Sequence, residues 1–334
     1  MRIRILSVVV LLSLVTLDWR LSARDTPDWG NGVAPFALAL IGDMPYGEAR
    51  EAPFAKLVAE INRDHDVDFV MHAGDIKAGS ERCDNVLILR RFGLYQTFQR
   101  AFVFTPGDNE WTDCHRLNNG TYHPLERLAF LRTVFFPQVG KTTGGQVRTV
   151  SSQAQGSAYP EFVENVMFRK QSVMFATVHV VGSNNDLEPW SGLPEADSCA
   201  VPRADRRAEF LRRQAAALAW LDEVFANAGG TNGVFLMIQA NPYNVPANPL
   251  CASAKGFEAF LSHLEAKAAA YGRPVMLAHG DDHFFFVDQP FANLLFSRVQ
   301  TYGEGLVHWV KIHVDPKSSG VFRVEQKIVR ANLN

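Results

Sequence analysis

The sequence predicts an α/β fold of two packed mixed β-sheets flanked by helices. Three observations point to it. Strand-like and helix-like segments alternate along residues 36–271, the mark of βαβ units and parallel strands. After residue 274 strands crowd together with no room for helices between them, which implies antiparallel or mixed pairing in a second sheet. The chain has 334 residues, 47% hydrophobic and 20% charged, enough for a large core, and shows no internal repeat or low-complexity segment. One domain over 36–330 is the economical reading.

The elements follow in order. Apolar runs near 36–42, 67–73 and 101–105 read as buried strands, with helices near 48–64 and 85–99 between them. A helix is expected near 122–136. The stretch 139–160, rich in Gly, Thr, Ser and Gln, reads as a long loop or hairpin. Strands near 165–168 and 173–181 precede a long helix near 203–228, with Phe210, Leu211, Leu218, Leu221 and Phe225 as its buried stripe. A strand at 234–238 and a helix at 254–271 lead to strands near 274–279, 283–288, 293–299, 305–314 and 320–328.

The N-terminus reads as a targeting segment. A basic start, Met1 to Arg4, precedes an apolar run from Ile5 to Leu17, which is short of the about 20 residues a membrane span needs. Residues 1–23 are therefore expected to be a signal peptide, cleaved after Ala23, with an uncleaved anchor as the alternative. Residues 24–35 form a turn-rich linker. Export, periplasmic or extracellular, fits four cysteines, Cys83, Cys114, Cys199 and Cys251. Pairing Cys83 with Cys114 and Cys199 with Cys251 is preferred, because each pair joins loops that follow neighbouring strands. No Cys-x-x-Cys spacing supports zinc. With 33 Lys+Arg against 35 Asp+Glu, no bulk charge points to nucleic acid. Asn119-Gly-Thr121 is a glycosylation acceptor only if the host glycosylates exported chains.

Four apolar runs end in Gly-Asp: at Asp43, Asp75, Asp108 and Asp281, the last continuing to Asp282 and His283. Ligands bind at the C-terminal ends of strands in α/β sheets. Carboxylates brought together there repel one another unless a cation lies between them. Turn formation alone explains one Gly-Asp but not four with a terminal Asp-x-His.

The order of these motifs resembles that of the calcineurin-like metallophosphoesterases. Their pattern runs Asp-x-His, Gly-Asp-x-x-Asp, Gly-Asn-His-Asp/Glu, a lone His, then Gly-His-x-His, and the resemblance spans roughly 36–290. It implies the family's four-layer sandwich and a metal site. One cation would be held by Asp43, Asp75 and His283. A second would be held by Asp75, Asp108 and Asp281, completed by Asn109, Gln239 or Asn241. Several positions depart from the pattern: Pro45 stands where a histidine is expected, Ala78 for an acid, Asn109 for the acid histidine, Ala240 for the lone histidine, and Asp281 for another histidine. Tyr46 is a substitute ligand or a substrate contact. Lys77 either pairs a substrate oxyanion or is a solvated loop lysine, and Asn184 is a further substrate contact. Asn109 or His115 would hold the ester, with His115 supplying the missing imidazole. An oxygen-rich shell favours Mg²⁺, Mn²⁺ or Ca²⁺ over iron or zinc, in one or two copies. The implied activity is hydrolysis of a phosphate mono- or diester by metal-activated water. The alternative is a binding or scaffold protein that kept the fold and lost the chemistry.

Overall fold

In the computed structural model, residues 25–243, 251, 255–292 and 294–333 are described. The expected leader lies outside them. The chain begins the first sheet with β1 (Phe36–Ile41), α1 (Glu51–Arg63), β2 (Val67–His72), α2 (Asn85–Tyr95) and β3 (Ala101–Phe104). All three strands are parallel. Their residues are almost wholly buried, as continuous apolar runs covered on both faces must be. A Pro-initiated helix, α3 (Pro124–Phe135), follows.

The stretch expected as one long loop does more than cross the surface. It contributes β4 (Thr143–Gly144) to the edge of the first sheet, antiparallel to β3. It then contributes β5 (Ser151–Ser152) to the edge of the second sheet. Polar pairing of two residues at each edge leaves no hydrophobic period to read, which is why the sequence shows only a loop.

The second sheet continues with β6 (Val166–Lys170) and β7 (Val173–Thr177). A short turn, α4 (Gly182–Asp186), is left-handed: Ser183, Asn184 and Asn185 have φ between 51° and 56°. Then come α5 (Ala204–Asn227), β8 (Gly233–Met237), α6 (Glu258–Tyr271), β9 (Val275–His279), β10 (Phe286–Asp288) and β11 (Phe296–Gln300). Strands β7, β8, β9 and β11 are parallel. The last strands, β12 (Trp309–Val314) and β13 (Phe322–Lys327), return to the first sheet. The sheet orders are β13-β12-β1-β2-β3-β4 and β10-β11-β9-β8-β7-β6-β5.

The two mixed, helix-flanked sheets agree with the expected fold class. The expectation that all strands after 274 build the second sheet is corrected. Strand β12 pairs antiparallel with β1, so the chain ends close the first sheet. The buried stripe of α5 is also shifted. Leu211 is 51% exposed, and Ala217, Trp220, Leu221 and Val224 face the second sheet beside Met174, Leu236 and Leu264. Between the sheets lies an aromatic core in which Phe69, Phe168, Phe175 and Phe235 interlock. The turn-rich stretch before β1 is held against this body. Trp29 stacks on Phe168 at 3.6 Å, and its backbone N–H donates to Arg169 O.

Both cysteine pairs form, Cys83–Cys114 and Cys199–Cys251. Among the described residues no helix is long and apolar enough to cross a membrane.

Candidate metal centre

Strands β1, β2 and β3 lie side by side in the first sheet, and β9 reaches the same edge from the second. Each is followed within four residues by its aspartate. Three of these aspartates adopt a left-handed backbone: Asp43 (φ 53°), Asp75 (φ 58°) and Asp281 (φ 87°). Asp tolerates that region better than most residues, and the sharp reversal keeps its carboxylate at the sheet edge. Two glycines allow the close approach this requires. A Cβ on Gly107 would lie 2.0 Å from Asp75 Oδ1, and one on Gly280 would lie 2.2 Å from Asp43 Oδ2.

Asp75, Asp108 and Asp281 each offer a carboxylate oxygen within 4.8 Å of the others. Asp43 adjoins them: the Asp281 N–H donates to its Oδ1 at 3.0 Å. Burial, reinforced by Asp281, pushes the Asp43 carboxyl well above its ordinary value. Burial and then Asp108 do the same to Asp75 and to Asp281. Asp43 Oδ2 and Asp108 Oδ1 are buried without a hydrogen-bond partner. Buried oxygens without donors, in a cluster whose members raise one another's pKa, suit a hard divalent cation bound through oxygen. The residues present therefore fit one.

The other predicted ligands are distributed unevenly. His283 reaches the cluster, with Nε2 3.8 Å from Asp43 Oδ1. The Tyr46 hydroxyl lies between them. It donates to Asp75 Oδ2 (3.3 Å), lies 3.4 Å from His283 Nε2 and accepts from Asn109 Nδ2 (3.0 Å). Burial, then Asp75 and Asp43, raise its pKa well above the ordinary tyrosine value. Asn109 also donates to Asp75 Oδ2 (2.9 Å) and Lys77 O (3.1 Å), which places its amide within the cluster.

Four expected site residues have surroundings that the sequence did not show. Asn241 meets the cluster through its backbone, whose N–H donates to Asp281 Oδ2 (2.8 Å), while its side chain has other partners. Its Oδ1 accepts from Arg298 (2.9 Å) and Tyr243 N (3.1 Å), and its amide donates to Asp282, because Arg298 lies beside it on β11. Asn184 faces Gly256, whose N–H donates to its Oδ1 at 3.2 Å. Lys77 is fully buried rather than solvated, and its Nζ donates to Ala78 O. His115 is buried too. Burial, with Arg116 adding to the effect, lowers its pKa to about 4, so near pH 7 it is a neutral imidazole and not an acid. It lines a cavity of about 340 Å³ with Asp113, Arg116, Ser183, Glu188 and Trp190. That cavity joins the cluster through Ser183, whose hydroxyl donates to Asp108 Oδ2 (2.8 Å) and Asp113 Oδ1 (3.0 Å). Asn119 is also fully buried, its amide donating to Asp113 O, so the Asn119 sequon is inaccessible in the folded chain.

Some site residues escape a reading of the sequence. Gln239 enters there only as an alternative, yet its Nε2 lies 3.3 Å from Asp75 Oδ2 and 3.4 Å from Asp281 Oδ1. Glu110 stands at the closing Asp/Glu of the third motif, but the sequence assigned it no task. Its carboxylate accepts from the backbone N–H groups of Asp75, Ile76 and Gly107, tying the loops after β2 and β3 together. Burial, net of the Gly107 hydrogen bond that opposes it, raises Glu110 to about 7. Ser183, next to the expected Asn184, is the residue that reaches the site; the left-handed backbone that brings its hydroxyl to Asp108 has no sequence period.

Comparison with known proteins bears on this geometry. Residues 36–198 match the family model of the calcineurin-like phosphoesterases. The match carries Asp43, Asp75 and Asp108 and ends before Gln239, Asp281 and His283. No curated protein matches the chain. Among solved structures, it is similar to TT1561 of Thermus thermophilus, with 12% identity and a TM-score of 0.43, covering 89% of this chain and 100% of that one. It is also similar to GAP50, the anchor in the inner membrane complex of Plasmodium, with 11% identity, a TM-score of 0.45 and 89% of each chain covered. A 5'-nucleotidase from Candida albicans shows 10% identity and a TM-score of 0.41, over 90% of this chain and 52% of that one. At these scores the likenesses carry no argument about activity. The family match is confined to residues 36–198, just under half of the chain, and this stretch, which holds Asp43, Asp75 and Asp108 of the four clustered carboxylates, is what is similar to the calcineurin-like phosphoesterases.

Proposed function

We propose that this protein is an exported, cation-dependent phosphoester hydrolase. The observation that carries the reading is the buried triad Asp75, Asp108 and Asp281, with unpartnered oxygens on Asp108 and Asp43 directed at no protein donor. Such an arrangement is costly unless a cation compensates it. Asp75, Asp108 and Asp281 would hold Mg²⁺, Mn²⁺ or Ca²⁺, with Gln239 and Asn109 at their flanks. The cation would supply water activation near neutral pH and neutralise charge on the transferring phosphoryl group.

The chain's own groups do the rest. Asn109 and Tyr46 present an amide and a hydroxyl beside Asp75, placed to donate to phosphoryl oxygens when substrate displaces their mutual bond. Ser183 fixes Asp108 and forms the wall between the cluster and the cavity. The cavity would receive the ester's alcohol part, where His115 offers a neutral hydrogen-bonding nitrogen. No imidazolium stands ready there to protonate the leaving group, which favours esters whose alcohol leaves readily. Two disulfides fit an oxidising compartment and support export.

The test is metal analysis of purified protein with hydrolysis of p-nitrophenyl and bis-p-nitrophenyl phosphate across Mg²⁺, Mn²⁺ and Zn²⁺. Stoichiometric metal, and activity lost by at least about 10³-fold in Asp75→Ala, is the expected result. Absence of metal binding at micromolar levels would leave the second reading, a binding protein without catalysis. The replaced histidines at Pro45, Ala240 and Asn109 favour that reading.

A further inference from the structure

The hydroxyl of Tyr46 occupies the gap between the two side chains that, with Asp43, would hold a second cation. Its oxygen lies 3.3 Å from Asp75 Oδ2 and 3.4 Å from His283 Nε2, and receives the Asn109 amide at 3.0 Å. A divalent cation bridging Asp75 and His283 needs bonds of about 2.0–2.6 Å to each, so it would overlap that oxygen. The tyrosine is held there. It is only 8% exposed, and its ring packs edge-on against His283 with centroids 5.3 Å apart. Of the remaining member of the set, Asp43, only Oδ1 is engaged, by the Asp281 N–H, while Oδ2 has no hydrogen-bond partner. The preceding Pro45 has no side-chain donor to offer a metal.

This arrangement sets the charge of the site. A tyrosine of ordinary pKa, about 10, is neutral at pH 7 and brings a hydrogen bond where a cation would bring two positive charges. With all four carboxylates, Asp43, Asp75, Asp108 and Asp281, ionised by the bound cation, one divalent cation leaves a formal charge of about −2. Around them, Arg116 is paired with Asp113, and Lys77 lies buried near Glu110, so these charges offset each other. A phosphomonoester dianion meets that negative site with one more unit of repulsion than a phosphodiester monoanion does.

We infer that the Tyr46 hydroxyl takes the place of a second cation, so that the centre is mononuclear and selects singly charged phosphodiesters over doubly charged monoesters. The inference rests on the phosphoesterase reading for its substrate half alone. Manganese titration followed by electron paramagnetic resonance and elemental analysis gives the cation count without reference to activity. Wild type should bind one Mn²⁺ per chain with a six-line mononuclear spectrum. Tyr46→Phe keeps the ring on His283 and deletes only the oxygen, and should admit a second Mn²⁺. For wild type at pH 7.5, kcat/KM for bis-p-nitrophenyl phosphate should exceed that for p-nitrophenyl phosphate at least tenfold. Two exchange-coupled Mn²⁺ ions in wild type overturn the mononuclear centre. One Mn²⁺ with equal rates, or faster monoester hydrolysis, overturns the diester preference. One Mn²⁺ with no hydrolysis of either ester removes the phosphoesterase reading and the preference with it, and leaves the cation count standing.

Discussion

Two fully buried histidines make the fold acid-sensitive at the scale of single residues. Burial holds His72 and His279 down to about 3, although backbone carbonyls beside them pull the other way. The folded value lies below the unfolded value of about 6.5, so the unfolded chain binds more protons between these two pH values. Their contribution is therefore complete above pH 6.5 and declines as pH falls toward 3, by up to about 1.4 kcal/mol per pH unit for each residue. Urea denaturation of wild type and His72→Gln at pH 7.5, 6 and 5 should show the variant losing stability less steeply. The clustered carboxylates have the opposite sign. The folded pKa values of Asp43, Asp75 and Asp281 are raised, so these three keep protons that a cation must displace. The rise in Tm produced by saturating Mn²⁺ should accordingly be larger at pH 8 than at pH 5.5. An equal rise at both would separate metal binding from these aspartates. The four Gly-Asp endings and His283 were legible in the sequence because each closes a run of buried apolar residues. The side-chain partners of Asn241 and Asn184 were not legible, because a side chain's direction depends on residues distant in sequence, here Arg298 and Gly256.

At the scale of elements, the loop after β3 is the most heavily constrained part of the site. The Cys83–Cys114 disulfide closes it against the segment before α2, and both sulfurs pack on Asn109 O. Glu110 clamps it to the loop after β2. Joining cysteines 31 residues apart restricts the unfolded chain by about 3–4 kcal/mol in the loop-entropy picture. The Cys83→Ala/Cys114→Ala double variant should lose about that much in chemical denaturation and also lower kcat, because Asn109 and Asp108 share the loop. A change in stability with unchanged kcat would show that Glu110 alone suffices to place them. The left-handed α4 was visible only as a run of turn formers. Asn and Asp tolerate that conformation, but nothing local says that Ser183 will end beside Asp108.

At the scale of the whole molecule, the site exists only when the two sheets are packed. Asp43, Asp75 and Asp108 come from the first sheet and Asp281 from the second. The first sheet is completed by the last strands of the chain, where Trp309 on β12 is fully buried and its indole N–H donates to Glu60 on α1. Trp309→Ala should cost about 3–5 kcal/mol and weaken Mn²⁺ binding, although this residue is no ligand. Unchanged metal affinity in a destabilised variant would show that the cluster forms without the terminal strands. The alternation of strands and helices, the apolar runs, the Gly-Asp endings and the even cysteine count were set by the sequence itself, whereas the choice among three cysteine pairings was made by the fold. Hydrophobic period and turn chemistry are local properties. Tertiary structure alone decided that β12 and β13 return to β1, that Tyr46 contacts both Asp75 and His283, that Gln239 and Ser183 join the cluster, and that the Asn241 and Asn184 side chains pair with Arg298 and Gly256. Those outcomes depend on which distant surfaces bury one another, and hydrogen-bond partners are assigned only once that packing is made.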